Sequence, residues 1–470
     1  MLFNSFTFIL AFLPVTLIFY YFFSKLRLNL YAKYWLLACS LFFYSWWNLL
    51  YLPLLLFSIT TNFLISRVIS KTKENQIYFF RGKTYLVIGL LFNLSLLFGF
   101  KYFDFFIENI NLISGSDINL LNLILPLAIS FFTLQQIAFL MDVYEGLAEE
   151  KKYLDYALFV SFFPQLIAGP IVHHNELMPQ FRKNNFLANY QNIFSGIFIF
   201  SIGLIKKVLI ADSFAIWANQ GFIFVSNPDF ISSWITSLSF TFQIYYDFSG
   251  YTDMAIGLAL LFNIKLPRNF NSPYKATGMI DFWSRWHITL TRFITSYIYS
   301  PILRNFTNVN FQNAMLTTLF AFLVAGLWHG ASWLFLIFGV LHGIGIVINH
   351  IWRKKIKIRL NIVISWLITF VYVNITFVFF RARNFDDAIN LTKGMFGFNG
   401  LGGGVIDYQA IIFIVVFAFA IFLKNSNQII VRNTNLKYFL VVLFISISLL
   451  HLFTQQLESK NNFEFLYFNF

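Results

Sequence analysis

Cysteine is almost absent. Cys39 is the single one among 470 residues, which excludes intrachain disulfides and any cysteine-based metal site. It lies in the apolar run 34–51, where it reads as a small buried hydrophobe with no neighbour placed to lower its pKa. Charge is also scarce. Charged residues make up 11% of the chain and apolar ones 58%, against roughly 25% charged in soluble domains. The composition therefore predicts an all-α, polytopic integral membrane protein, with 1–470 as one membrane-embedded domain. Metal signatures are missing as well. The seven histidines include no HExxH or Cys/His spacing, and His173 and His174 are adjacent, so no metal is expected. No Gly-x-Ser-x-Gly marks an activated serine. The glycine-rich run 400–404 lacks the Gly-Lys-Ser/Thr of a phosphate loop and reads as an ordinary loop. No repeat of fixed period is present.

Acidic residues are outnumbered, 20 against 33 basic, for a net charge of +13. The distribution argues against a nucleic-acid partner. Arg67, Lys71, Lys73, Arg81 and Lys83 cluster in one loop, and Arg353, Lys354, Lys355, Lys357 and Arg359 in another. Both read as cytoplasmic under the positive-inside rule, as does the 25–33 loop, which places the amino and carboxyl termini outside the cytoplasm. The first apolar run, 6–23, lacks a cleavage pattern and reads as a retained first span.

What is present in abundance is long apolar sequence. Runs near 6–23, 34–66, 84–100, 121–141, 154–171, 193–211, 231–246, 313–328, 332–351, 361–380, 409–423 and 438–453 predict roughly a dozen spans of the ~20 residues that cross a bilayer. The 34–66 run reads as two of them. From 251 to 304 the pattern changes. The 251–262 run is too short to cross, and Pro267, Pro273, Arg285 and Arg292 follow it, predicting re-entrant or interfacial helices around a cytoplasmic basin. There, Trp283, Trp286, Leu290, Phe293 and Tyr297 recur every three or four residues, with Arg285 and Arg292 on another face. One amphipathic helix is expected, carrying His287 at the flank of its aromatic stripe.

His329 is the most informative residue. Between Arg304 and Arg353 no Asp, Glu, Lys or Arg occurs, so a titratable ring in that stretch needs a reason. It reads equally as a hydrogen-bonded structural group and as a catalytic one. A buried neutral imidazole can accept a proton from a hydroxyl attacking an activated acyl group. His342 and His350 read as structural or interfacial. Asp247 and Asp253, beside a helix-breaking Gly250, read as proton-relay groups or as hydrogen-bonded struts of a broken helix.

Two of these segments, Phe282-Trp-Ser-Arg-Trp-His-Ile-Thr-Leu290 and Gly326-Leu-Trp-His-Gly-Ala-Ser-Trp333, resemble the histidine motifs of the membrane-bound O-acyltransferase family, in the branch that O-acetylates alginate and peptidoglycan. Further matches occur in order at Ser130-Phe-Phe-Thr-Leu-Gln-Gln-Ile137, Phe162-Phe-Pro-Gln-Leu-Ile-Ala-Gly-Pro170, 245–257 and Phe379-Phe-Arg-Ala382, covering about 120–390. The resemblance implies a bundle of helices around a central tunnel in a bacterial inner membrane. It makes His329 the essential catalytic residue and His287 the first-motif histidine. It implies acetyl-CoA as a cytoplasmic donor substrate, no bound cofactor, and delivery to an external glycan, often through a periplasmic acetyltransferase partner. Arg285 and Arg292 then read as donor-phosphate contacts or as interfacial charges. The chain departs from the branch at 295–303, which leaves the acceptor open. D-alanyl transfer to teichoic acid is the alternative within the family, and a non-enzymatic transporter of acyl groups or glycans the alternative outside it.

Overall fold

Apolar sequence without water to satisfy its main chain has the helix as its local solution, and all regular elements among the described residues are helical. The computed structural model describes residues 1–73, 81–182, 186–223, 226–402, 408–429, 434–457 and 465–466. Gly403 and Gly404 of the expected loop, and residues 458–462 of the polar tail, lie outside them. Seven helices among the described residues are long and apolar enough to cross a membrane. They are Thr7–Lys25, Leu49–Thr72, Gly82–Ser114, Tyr190–Ile223, Phe311–His329, Trp333–Ile356 and Ile362–Arg381, and two shorter apolar helices follow at Tyr408–Ala418 and Tyr438–Thr454. The chain is a multi-pass integral membrane protein.

Two compact units divide it, Met1–Ser201 with Tyr251–Pro267, and Ile202–Gly250 with Arg268–Asn469. In the first, helix Asn29–Ser45 packs against Leu13–Lys25 and Tyr153–Ser161. Lys33 on that helix is buried 2.7 Å from Asp155, so it is a structural ion pair rather than a loop charge. Helices Leu52–Lys73 and Gly82–Leu97 are joined by an exchange of side-chain amide hydrogen bonds between Asn62 and Asn93, at 2.6 and 3.2 Å, the polar glue of helices in lipid. The expected span at 154–171 is not one helix. Tyr153–Ser161 ends as Phe162 turns extended, and Pro164 opens the next short helix, Phe163–Leu166. Proline fits a first turn and no interior one. Every residue from 155 to 172 is buried, so this run is apolar because it is core.

In the second unit, Phe311–His329 and Trp333–Ile351 form a tight antiparallel hairpin. Gly326 and Gly339 face each other across it, and a Cβ on either would strike the main-chain carbonyl of the opposite helix, Phe335 or Phe322. Small residues let helix backbones approach in this way. Helix Ile362–Arg381 packs on the hairpin. Gly250 does not break a helix: Phe230–Leu261 runs through it for 32 residues. The missing side chain instead admits the Gly203 carbonyl, which would lie 2.9 Å from a Cβ there.

Candidate functional site

The zone expected as one amphipathic helix is two short helices, Met279–Trp283 and Ile288–Ile294, separated by a turn. His287 is the break. Its φ of 43° is left-handed, a conformation that costs of order 1–3 kcal/mol outside glycine and gathers at functional sites. The extended segment 269–271 braces it. Asn271 donates its main-chain N–H to the Arg285 carbonyl and Ile288 donates to the Asn269 carbonyl, both at 2.9 Å. These antiparallel bonds hold the Asn269 side chain opposite His287.

Asn269 Oδ1 lies 3.1 Å from the Thr289 main-chain nitrogen, 2.9 Å from Thr289 Oγ1 and 3.2 Å from His287 Nδ1. His287 is fully buried, with its ring edge-on to Phe248 at 4.8 Å and to Trp328 at 5.9 Å between centroids. It lies outside the candidate spans. Burial pushes its imidazole down to about 3, against a smaller opposing pull from its own main chain, so the ring is neutral at physiological pH.

Trp328 joins this ring to the next, lying 5.0 Å from His329. His329 is the last residue of its helix, followed by extended Gly330 and by Ser332, whose hydroxyl accepts from the Leu334 N–H at 3.2 Å. The His329 ring is 2% exposed and sits among Phe338 at 5.7 Å and Phe380 at 5.2 Å. The structure thus brings both motif histidines against one tryptophan. His342 is close to the same aromatic cluster, 4.4 Å from Phe338, but both its nitrogens are committed. Trp283 Nε1, which can only donate, lies 3.2 Å from Nδ1, so Nε2 carries the proton and faces Thr376 Oγ1 at 2.9 Å. It is a structural histidine.

Arg285 and Arg292 do not share a helix face, because the turn at 284–287 separates them. Arg285 Nε donates to Asp281 Oδ1 at 2.7 Å and Nη1 to the Asn271 carbonyl at 3.3 Å, which stiffens the brace. Arg292 is half-buried on Ile288–Ile294. Asp247 belongs to a different cluster. Lys207, in a π-helical stretch Lys206–Ala211, lies 2.6 Å from Asp247 and 2.8 Å from Asp212, all three buried. The Leu466 N–H donates to Asp247 Oδ2 at 2.9 Å, and the ammonium stands 4.5 Å from the Phe465 ring. Asp247 is a strut, though of an ion cluster and not of a broken helix. Among the described residues no group of three His, Cys, Asp or Glu side chains is placed to hold a metal ion.

Sequence reasoning passed over Asn269 and Lys207. Asn269 meets His287 only through long-range main-chain pairing, which no periodicity reports. Lys207, inside the apolar run 193–211, is a charge whose role shows only when its two carboxylates are seen.

The sequence profile of MBOAT, the membrane-bound O-acyltransferase family, matches residues 151–385. The chain is 49% identical over 433 residues to the peptidoglycan O-acetyltransferase of Helicobacter pylori, covering 85% of this chain and 81% of that protein. It is 35% identical over 406 residues to the probable alginate O-acetylase AlgI of Azotobacter vinelandii, covering 85% and 78%. Against the teichoic acid D-alanyltransferase of Bacillus subtilis, identity is 26% over 278 residues, covering 56% and 70%.

Proposed function

Starting from a chain that belongs to the membrane-bound O-acyltransferase family and is an O-acyltransferase, we propose that it O-acetylates an extracytoplasmic polysaccharide, with peptidoglycan the first candidate. Identity supports that order, at 49% to a peptidoglycan enzyme, 35% to an alginate one and 26% to a teichoic acid one. The observation that carries the mechanism is the pairing of two buried histidines around Trp328.

In this reading the acceptor hydroxyl gives its proton to His329 as its oxygen bonds to the thioester carbonyl carbon. The C–S bond breaks as the tetrahedral adduct collapses, and the departing thiolate takes the proton from the imidazolium. General-base help of this kind is worth about 10²–10⁴ in rate. His287 positions the donor or assists the proton transfer. The donor is acetyl-CoA reaching the site from the cytoplasm. Arg292 draws its phosphates, with Arg285 the weaker contributor because Asp281 already engages it. The product is either the acetylated glycan itself or an acetyl group passed to an external acetyltransferase partner. The membrane is the bacterial inner membrane, with both termini outside the cytoplasm.

The test compares base-released acetate on each isolated envelope glycan between wild type and a His329→Ala strain making equal protein. Peptidoglycan is expected to lose its acetate, and near-wild-type acetate on every glycan would remove His329 from the chemistry. Purified protein given labelled acetyl-CoA separates the remaining readings. A thioester left intact favours a carrier, and acetyl-CoA left intact while a D-alanyl carrier-protein thioester supplied in parallel is consumed favours the teichoic acid reaction.

A further inference from the structure

Asn269 Oδ1 accepts from the Thr289 main-chain N–H and hydroxyl and faces His287 Nδ1 at 3.2 Å, while its Nδ2 is buried with no acceptor among the described residues. That arrangement is unusual, since a buried amide left half-satisfied costs about 1–3 kcal/mol and such exceptions call for an explanation. Flipping the amide is no remedy. It would set the NH₂ group against the Thr289 main-chain N–H, which can only donate. The brace at 269–271 and the left-handed turn at His287 fix both partners, so the oxygen faces His287 Nδ1 by construction of the main chain.

We propose that Asn269 is a positioning residue that holds His287 in the Nδ1–H tautomer, leaving Nε2 as its basic nitrogen. The oxygen facing Nδ1 can only accept, so a neutral ring satisfies it by carrying its proton there. The bond also fixes the ring plane, as an outer hydrogen-bond partner does for a catalytic or metal-bound histidine. His342 is held in the opposite tautomer by Trp283 and Thr376. Two neutral histidines beside one aromatic cluster therefore present opposite nitrogens as acceptors, Nδ1 in His342 and Nε2 in His287. The catalytic consequence rests on the acyl-transfer reading above, whereas the tautomer does not.

Nitrogen-15 NMR of the full-length protein carrying ring-labelled histidine reads the tautomer directly, with His287 identified by its disappearance in His287→Gln. Wild type is expected to show a protonated Nδ1 and an unprotonated Nε2. Asn269→Leu should lose that preference, and Asn269→Asp, which keeps an acceptor oxygen, should retain it. In acetyl transfer, Asn269→Leu should lower kcat about 10–100-fold, the usual loss for an outer-shell partner, with KM for the donor within about 2-fold, and Asn269→Asp should recover most of it. An Nε2–H wild type, or an unchanged tautomer in Asn269→Leu, overturns the proposal whatever the activity. A tautomer that shifts as expected while kcat stays at the wild-type value upholds the positioning role and refutes the part given to His287 in the reaction. Thr289→Val, which removes one donor to the same oxygen, should leave the tautomer unchanged and serves as the control for local packing.

Discussion

Replacing Lys207 with methionine tests the electrostatics of the interior more sharply than any surface change. Its ammonium lies 2.6 Å from Asp247 and 2.8 Å from Asp212, and each of the three residues is at most 3% exposed. At an effective dielectric near 20, each contact is worth about 6 kcal/mol of attraction, from ~332/(εr). Most of that is offset by the cost of taking three charges out of water. The asymmetry between deleting one partner and deleting all of them is what the structure predicts. Lys207→Met leaves two buried carboxylates facing each other, a loss of about 3–5 kcal/mol. At roughly 2 °C per kcal/mol for a large chain, Tm should fall by about 6–10 °C. Combining Lys207→Met with Asp212→Asn and Asp247→Asn removes the stranded charges, so it should recover more than half of the loss. The assay is thermal unfolding of detergent-purified protein, followed by size-exclusion fluorescence at one fixed heating rate, because membrane proteins often unfold irreversibly. A single variant within about 1 °C of wild type, or a triple variant no better than the single one, would refute the assignment of a buried ion cluster.

Three further outcomes are expected. His342→Leu strands the Trp283 N–H, at about 1–3 kcal/mol, while the Thr376 hydroxyl keeps its bond to the Val373 carbonyl, so it should lower Tm while sparing transfer per folded molecule; activity lost at undiminished Tm would place His342 in the chemistry. In a Cys39→Ser background, single cysteines at Ser70 and Lys355 should react with a membrane-impermeant maleimide only after the cells are opened, and labelling of intact cells would reverse the assigned topology. Arg292→Gln should raise the donor KM several-fold with kcat little changed, and an unaltered KM would end its phosphate role.

How much of this was legible beforehand depended on range. Composition settles membrane residence, because 11% charge cannot cover a water-facing surface of this size. The two histidine motifs are local strings, so the family and the identity of His287 and His329 could be read without a fold. Burial of His287 followed from the aromatic residues at helical spacing around it. The helix itself did not, since spacing is blind to one left-handed residue, and the same spacing serves two short helices hinged at His287.

The run 154–171 carries the same lesson. Hydrophobicity alone cannot separate a lipid-facing span from a segment buried on every side, and here all residues from 155 to 172 are core. Gly250 reads as a helix breaker by propensity, yet the continuous helix keeps it for close approach to the Gly203 carbonyl. By itself the sequence determined the solvent, the secondary-structure type and the chemical class, all of which depend on residue identity summed over short stretches. Tertiary structure alone decided that Trp328 touches both His287 and His329, that Asn269 Oδ1 faces one of them, and that Lys207 has two carboxylates. Each of these joins residues far apart in the chain, and hydrogen-bond geometry and desolvation act on distances in space.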